Sequence, residues 1–164
     1  MTELPEATRR FLAAARVAGL PAEPTVFPQG TKTAADAARA VDCDPAQIAK
    51  SIVFMAGGEP VVVFMSGDRR VDLDRLGAVM GAPARRATLE EVREHTGFVA
   101  GGTPPLGYAR TMRVFADVSL QRNETVWSAA GTPTTVFPVA LDVLVSVSGA
   151  EWTDVSERGD HGLE

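Results

Sequence analysis

Lys50 is the residue through which the chemistry of this chain is most directly approached. Of the 16 Lys and Arg residues in the 164-residue sequence, only Lys32 and Lys50 are lysines. Lys50 stands at the mouth of an apolar run, Ile52-Val53-Phe54, which is bounded by Gly57-Gly58 and reads as a buried strand. A lysine ammonium is a compact charge with three donors and lacks the planar fork of guanidinium, which suits a lone carbonyl, hydroxyl or phosphate oxygen. Two readings stand side by side: such a contact, or a side chain that snorkels from the strand end into water. A second stretch could meet it. Residues 101–107, Gly-Gly-Thr-Pro-Pro-Leu-Gly, join glycines that let backbone N–H groups approach a ligand to prolines that stiffen the loop without adding donors. Such a loop can polarise a carbonyl as an oxyanion hole does. Its plainer reading is a rigid connection between a helix and a strand. Gly131-Thr132-Pro133 resembles a second loop of this kind, with the structural reading favoured.

Residue counts set other chemistries aside. His95 falls in the last turn of an expected helix, where an imidazolium favours the helix dipole, and the remaining histidine, His161, is in the tail. A Ser-His-Asp triad would need one of these two. Cys43 is the only cysteine, so no internal disulfide and no cysteine-built metal site is expected, and beside a helix end it reads as packing rather than a nucleophile. There is no P-loop and no G-x-G-x-x-G after a strand. What remains is a lysine with backbone donors, and neither metal nor cofactor is expected.

The composition, 45% hydrophobic and 23% charged, is that of an ordinary globular domain, and the length fits a single one. No apolar run approaches the roughly 20 residues of a membrane span. The first residues, Met1-Thr2-Glu3-Leu4-Pro5, carry no signal-peptide pattern, so a cytoplasmic location is expected. A net charge of −5 is a poor footprint for gripping nucleic acid along a long backbone, yet it leaves room for a small contact at the end of an RNA. The arginine pairs Arg9-Arg10, Arg69-Arg70 and Arg85-Arg86 each read as a solvated helix end or loop.

The elements that must position these residues follow from periodicity and caps. A helix is expected from Pro5 to Ala18, with Phe11, Leu12, Ala15 and Ala18 on one side and Gly19 ending it. Thr25-Val26-Phe27 reads as a short strand closed by Pro28 and Gly30. Thr33 with Asp36 resembles a capping box for a helix through Val41, and Asp44-Pro45 opens the turn that delivers Lys50. Gly57-Gly58 is a hairpin turn between the Lys50 strand and Val61–Met65, a strand buried on both faces. Asp72 caps a helix to Met80, and Thr88 with Glu91 caps another that ends at Gly97. Strands follow around Arg113–Ala116, Thr125–Ala129 and Thr134–Phe137, then a helix from Val139 to Val147, and a polar, frayed tail from Glu157. The closing Leu163-Glu164 could be a vector remnant. Irregular alternation with hairpins at Gly57-Gly58 and Gly131 predicts an α/β domain: a mixed, mostly antiparallel curved sheet or open barrel with helices outside. Residues 1–19 form the N-terminal helix, 20–156 the body of one globular unit, and 157–164 the tail.

Four ordered motifs carry a resemblance. Ala-Lys-Ser-Ile-Val-Phe (49–54), Ser-Gly-Asp-Arg-Arg-Val-Asp (66–72), Thr-Gly-Phe-Val-Ala-Gly-Gly-Thr-Pro-Pro-Leu-Gly (96–107) and Ala-Ala-Gly-Thr-Pro (129–133) resemble the YbaK/EbsC family, free-standing relatives of the prolyl-tRNA synthetase editing domain. The resemblance covers roughly residues 20–155 and implies a mixed α/β fold with a curved central sheet. It implies trans-editing hydrolysis of the ester of mischarged aminoacyl-tRNA, of the Cys-tRNA(Pro) or Ala-tRNA(Pro) type. The family's typical lysine falls on Lys50, which would hold the terminal ribose or phosphate, or the carbonyl. Backbone N–H groups of Gly101, Gly102 and Thr103 would bind the ester carbonyl, and the attacking group would be water or a group of the substrate. Phe27, Thr33, Pro104 and Gly131 would form pocket walls, with Pro105 and Thr132 beside them in the substrate-binding set. The implied partners are the acceptor end of aminoacyl-tRNA and a synthetase that presents it, with no membrane or DNA. Two alternatives are a non-catalytic tRNA- or synthetase-binding module, and a hydrolase of a small aminoacyl ester without RNA.

Overall fold

The computed structural model describes residues 3–27 and 33–158. Pro28 and Gly30, expected to close the first strand, and Lys32, His161 and Leu163-Glu164 lie outside them. Helix α1 (Glu6–Ala18) buries Thr8, Phe11 and Ala15, and Gly19 ends it in a left-handed conformation. Ala18, expected on the same face, is exposed, and Thr8 takes its place in the buried stripe. Strand β1 (Thr25–Val26) follows, then α2 (Ala34–Val41), whose Thr33 hydroxyl accepts the Asp36 amide. The turn before Lys50 is a single 3-10 turn, Pro45–Gln47, closed by a reciprocal Asp44/Gln47 capping box.

Strands β2 (Ala49–Ala56) and β3 (Glu59–Ser66) form the antiparallel hairpin around Gly57-Gly58, with Lys50 opposite Met65. In β3, Val62 and Phe64 enter one core while Val61, Val63 and Met65 enter another, so the strand is apolar throughout because both faces are covered. Helix α3 (Leu73–Met80) starts at Asp72 and stops at Gly81, and α4 (Leu89–Thr96) carries the Thr88/Glu91 capping box. Between them runs β4 (Ala84–Arg86), which the sequence did not signal. Strand β5 (Arg113–Asp117) pairs parallel with β3 and leads into a 3-10 helix, Val118–Arg122. The wholly buried Asp117 carboxylate accepts the amides of Ser119 and Val155, so burial of its charge is compensated by two donors.

Strands β6 (Thr125–Ala129) and β7 (Thr135–Ala140) form the second hairpin. Here the expected helix start at Val139 is corrected: β7 runs to Ala140, and α5 spans Leu141–Ser148. Pro138 survives in β7 because β1 pairs only with Thr135 and Val136, so the missing N–H leaves no ladder bond unmade. The last strand is β8 (Glu151–Thr153). Glu157, expected to open a frayed tail, is held in place: its amide donates to the Arg70 carbonyl at 2.8 Å.

The strands make two sheets, ordered β1-β7-β6 and β4-β2-β3-β5-β8. Among the described strand pairs, β3–β5 and β5–β8 are parallel and the others antiparallel. A parallel bridge from Ile48 to Trp127 joins the sheets without closing a barrel. The larger core lies between them and includes Phe11, Phe64, Leu120, Phe137 and Leu144, with the Phe11 and Phe137 rings 5.1 Å apart. Among the described residues, no helix is long and apolar enough to cross a membrane.

Candidate active site

A cleft of about 800 Å³ opens beside the first half of β2. Its apolar lining mixes small and large side chains, among them Ala37, Ala49, Val53, Val136, Phe54 and Trp127. Lys50, Thr33, Gly101 and Thr103 of the expected site line it. The elements explain the meeting: the capped 3-10 turn sets where β2 begins, and Ala100, Gly101 and Thr103 of the loop after α4 line the same cleft.

The half-buried Lys50 ammonium donates to the Arg69 carbonyl at 2.9 Å. It is therefore anchored, not snorkelled into water. Burial pushes its pKa below that of an ordinary lysine, Arg86 and Arg70 push the same way, and Asp68 opposes them. The turn that presents the Arg69 carbonyl is itself pinned. Arg122 donates to both Asp68 carboxylate oxygens, at 2.7 and 3.1 Å, to Ser66 Oγ at 2.7 Å and to the Ser119 carbonyl at 2.7 Å. Ser66 Oγ lies 2.8 Å from the Ala46 carbonyl, which also accepts from Asn123 at 2.8 Å. This arginine pairing, with some help from Ser66, holds the Asp68 carboxyl below the usual range. Sequence reasoning missed Arg122, and no local spacing could have found a partner 54 residues away.

The glycine-rich loop is held from behind. Thr96 Oγ1 donates towards the Val92 carbonyl at 2.7 Å and accepts the Phe98 amide at 3.0 Å, which turns the chain out of α4. Arg10 donates to the Gly97 carbonyl and lies 4.8 Å from the Phe98 ring centre. Buried Thr103 donates to the Val99 carbonyl at 3.1 Å, and the Tyr108 hydroxyl donates to the Pro104 carbonyl at 2.8 Å. Gly102 departs from its expected role. Its amide donates to the Val99 carbonyl at 3.0 Å, while those of Gly101 and Thr103 have no backbone partner among the described residues. Gly102 instead provides a close approach: a Cβ there would stand 2.6 Å from Thr132 Cα.

The remaining expected residues support the cleft without lining it. Gly131, at φ 110°, packs against α1, where a Cβ would meet the Ala7 carbonyl oxygen at 2.8 Å. Thr132 joins a hydroxyl cluster in which Thr135 Oγ1 lies 3.0 Å from Thr8 Oγ1 and 2.9 Å from Thr132 Oγ1. The Phe27 amide donates to the Thr134 carbonyl, and Pro105 borders a separate shallow depression beside Tyr108 and Arg110. Cys43 packs with Ala37, Ala38 and Ile48, and burial, reinforced by Asp44 and Asp42, raises its thiol pKa, which disfavours a thiolate. Conversely, Arg70 and Arg86, read from the sequence as solvated, both line the cleft.

The model of the aminoacyl-tRNA editing domain matches residues 28–147, which include Lys50, the glycine-rich loop and most of both sheets. The chain belongs to the aminoacyl-tRNA editing domain family. Within this family's range of relatives, the uncharacterized protein YwhH of Bacillus subtilis is 32% identical over 133 residues, covering 80% of this chain and 85% of YwhH. The proline–tRNA ligase of Nitratidesulfovibrio vulgaris (strain DP4) is 37% identical over 75 residues, which are 45% of this chain but 13% of the ligase. A crystal structure described as that of a candidate trans-editing enzyme for prolyl tRNA synthetase superposes with a TM-score of 0.90 at 36% identity, covering 95% of this chain and all of that one. The editing-domain fold is therefore matched along nearly the whole chain.

Proposed function

We propose that this editing-domain protein is a free-standing deacylase that hydrolyses the ester of mischarged aminoacyl-tRNA carrying a small amino acid. The observation that carries this reading is the anchored Lys50 ammonium in the wall that Gly101 and Thr103 share. In this mechanism Lys50 holds an oxygen of the terminal nucleotide or the ester carbonyl. The Gly101 and Thr103 amides receive the charge that develops on the carbonyl oxygen. Water, or a nucleophilic group of the substrate, adds to the carbonyl carbon. When water attacks, the tetrahedral adduct expels the ribose oxygen, which leaves with a proton, and the free amino acid is released. An aminoacyl ester is already activated, so positioning and polarisation suffice for attack by water or a substrate group. The family resemblance favours a small aminoacyl group, of the cysteine or alanine type, and the apolar Ala and Val side chains in the cleft wall suit one without charge. Likeness to a proline–tRNA ligase segment favours tRNA(Pro) as the carrier and that ligase as a presenting partner.

The test is release of amino acid from a panel of charged tRNAs by wild type and Lys50→Ala. Release of one or a few small amino acids, lost in Lys50→Ala with the circular dichroism spectrum unchanged, supports the reading. No release above the blank from any charged tRNA overturns it.

A further inference from the structure

One stripe of α1 touches both glycine-bearing loops. Residues 7, 10 and 14 are spaced so that they stand above one another on a helix face. Each meets a glycine. A Cβ on Gly131 would stand 2.8 Å from the Ala7 carbonyl oxygen, and one on Gly107 would stand 3.0 Å from Ala14 Cβ. Between them, Arg10 donates to the Gly97 carbonyl at 3.1 Å, and its guanidinium carbon lies 4.8 Å from the centre of the Phe98 ring. Gly97 and Gly107 stand near the two feet of the glycine-rich loop. The Ala109 amide donates to the Thr96 carbonyl at 3.0 Å and the Arg110 amide to the His95 carbonyl at 3.2 Å, which ties the returning chain to the end of α4. The wholly buried Phe11, with its ring 5.1 Å from that of Phe137, seats α1 in the core and so gives the stripe a fixed place. Helix α1 precedes residues 28–147, which match the family model, so this brace comes from outside the matched segment. Arg9, the next residue on the helix, turns instead to Glu3 at 2.8 Å.

We propose that Arg10 is a positioning residue: by holding the Gly97 carbonyl and the Phe98 ring, it sets where the glycine-rich loop starts and so where the Gly101 and Thr103 amides point. Its effect on catalysis rests on the editing reading above, whereas its effect on the loop does not. The Arg10 side chain is exposed, and a single bond open to water contributes little to stability. Geometry at a reacting centre is far more sensitive, since a displacement of about 1 Å can cost up to about a hundredfold in rate. Stability and turnover therefore separate: a contact that merely holds the fold together would lower both in proportion.

The experiment compares the full chain with Arg10→Ala, Arg10→Lys and Arg9→Ala by amide nuclear magnetic resonance, urea denaturation and deacylation of the charged tRNAs that wild type hydrolyses. Arg10→Ala should shift the Gly101 and Thr103 amide resonances while those of the central strand β3 stay in place. Its kcat should fall about tenfold with KM within about twofold, and its urea midpoint should barely move. Arg10→Lys, which keeps a donor and a cation beside the ring, should recover most of kcat, and Arg9→Ala should match wild type throughout. Unmoved Gly101 and Thr103 resonances in Arg10→Ala overturn the proposal whatever the activity. A kcat that falls only in proportion to the unfolded fraction overturns it too, and leaves Arg10 a structural contact. Should wild type deacylate no charged tRNA, the editing reading fails, and the two resonances alone decide whether Arg10 sets the loop.

Discussion

Arg122 and Asp68, 54 residues apart, meet in a two-point ion pair at 2.7 and 3.1 Å directly behind the carbonyl that anchors Lys50. Both side chains are more than a third exposed, so the pair by itself contributes little to stability. Its bonds to Ser66 and the Ser119 carbonyl make it a clamp on the 66–69 turn. We expect Arg122→Ala to cost about 1–2 kcal/mol in urea denaturation and to lower kcat for deacylation more than it changes KM. Arg122→Lys, which keeps the charge without the fork, should recover stability but only part of kcat. Unchanged kcat in Arg122→Ala would remove its role in positioning Lys50.

Gly102→Ala tests the stacking of the two glycine-bearing loops. The added Cβ would sit 2.6–2.9 Å from backbone atoms of Thr132 and Pro133, which cannot swing aside as a side-chain tip can. Overpacking of this kind costs about 1–3 kcal/mol. The displaced loop should also lose activity beyond that expected from the unfolded fraction. A variant with native stability and activity would show that the loops separate freely.

The charge of Lys50 carries a signed pH dependence. Burial lowers its pKa below the ordinary 10.5, with Arg86 and Arg70 adding to the shift, Asp68 opposing it and Glu157 also lining the cleft. If the ammonium binds substrate, kcat/KM, after subtraction of uncatalysed ester hydrolysis, should fall as pH rises through this lowered value. Arg86→Ala should move that alkaline limb upwards by relieving repulsion. Stability runs the other way: the folded state disfavours the charged form, so the penalty is full below the folded pKa and is relieved as pH rises towards the unfolded value. A limb that stays in place in Arg86→Ala would disconnect the two residues.

Thr135→Val tests the hydroxyl cluster that ties α1 to the second loop. The substitution leaves the buried Thr8 hydroxyl and the Thr132 group without their shared partner, a loss of about 1–3 kcal/mol in chemical denaturation. Thr135→Ser retains the hydroxyl and should restore most of it. Equal stabilities for the valine and serine variants would reduce the cluster to a packing contact.

Signals that are local in the chain were readable. Asp72 with Gly81 and Thr88 with Gly97 bracket α3 and α4 because caps act within a few residues of themselves. The double burial of β3 was readable from its unbroken apolar run. Strands β4 and β8 were not, since three residues at a sheet edge, with exposed Arg85, Arg86, Glu151 and Trp152, show no period. Lys50 and the 101–103 loop stood out by residue type, but which amide of that loop is already committed depends on its fold. Arg70 and Arg86 line the cleft while Arg69 and Arg85 meet Asp68 and Glu91. That division depends on which side of the backbone each faces, so it emerges only in three dimensions.

The two halves of the cleft differ in how far along the chain they must reach for support, and this orders their assembly. Lys50 belongs to a hairpin closed by a two-residue turn, a contact set of short sequence separation that can form early. The loop opposite is braced by Thr132, which is held through Thr135 to Thr8, and the last link spans 127 residues. During refolding, far-ultraviolet ellipticity should therefore recover ahead of deacylase activity. On a ribosome, α1 is made before the second hairpin and waits for it before the loop it braces takes its shape.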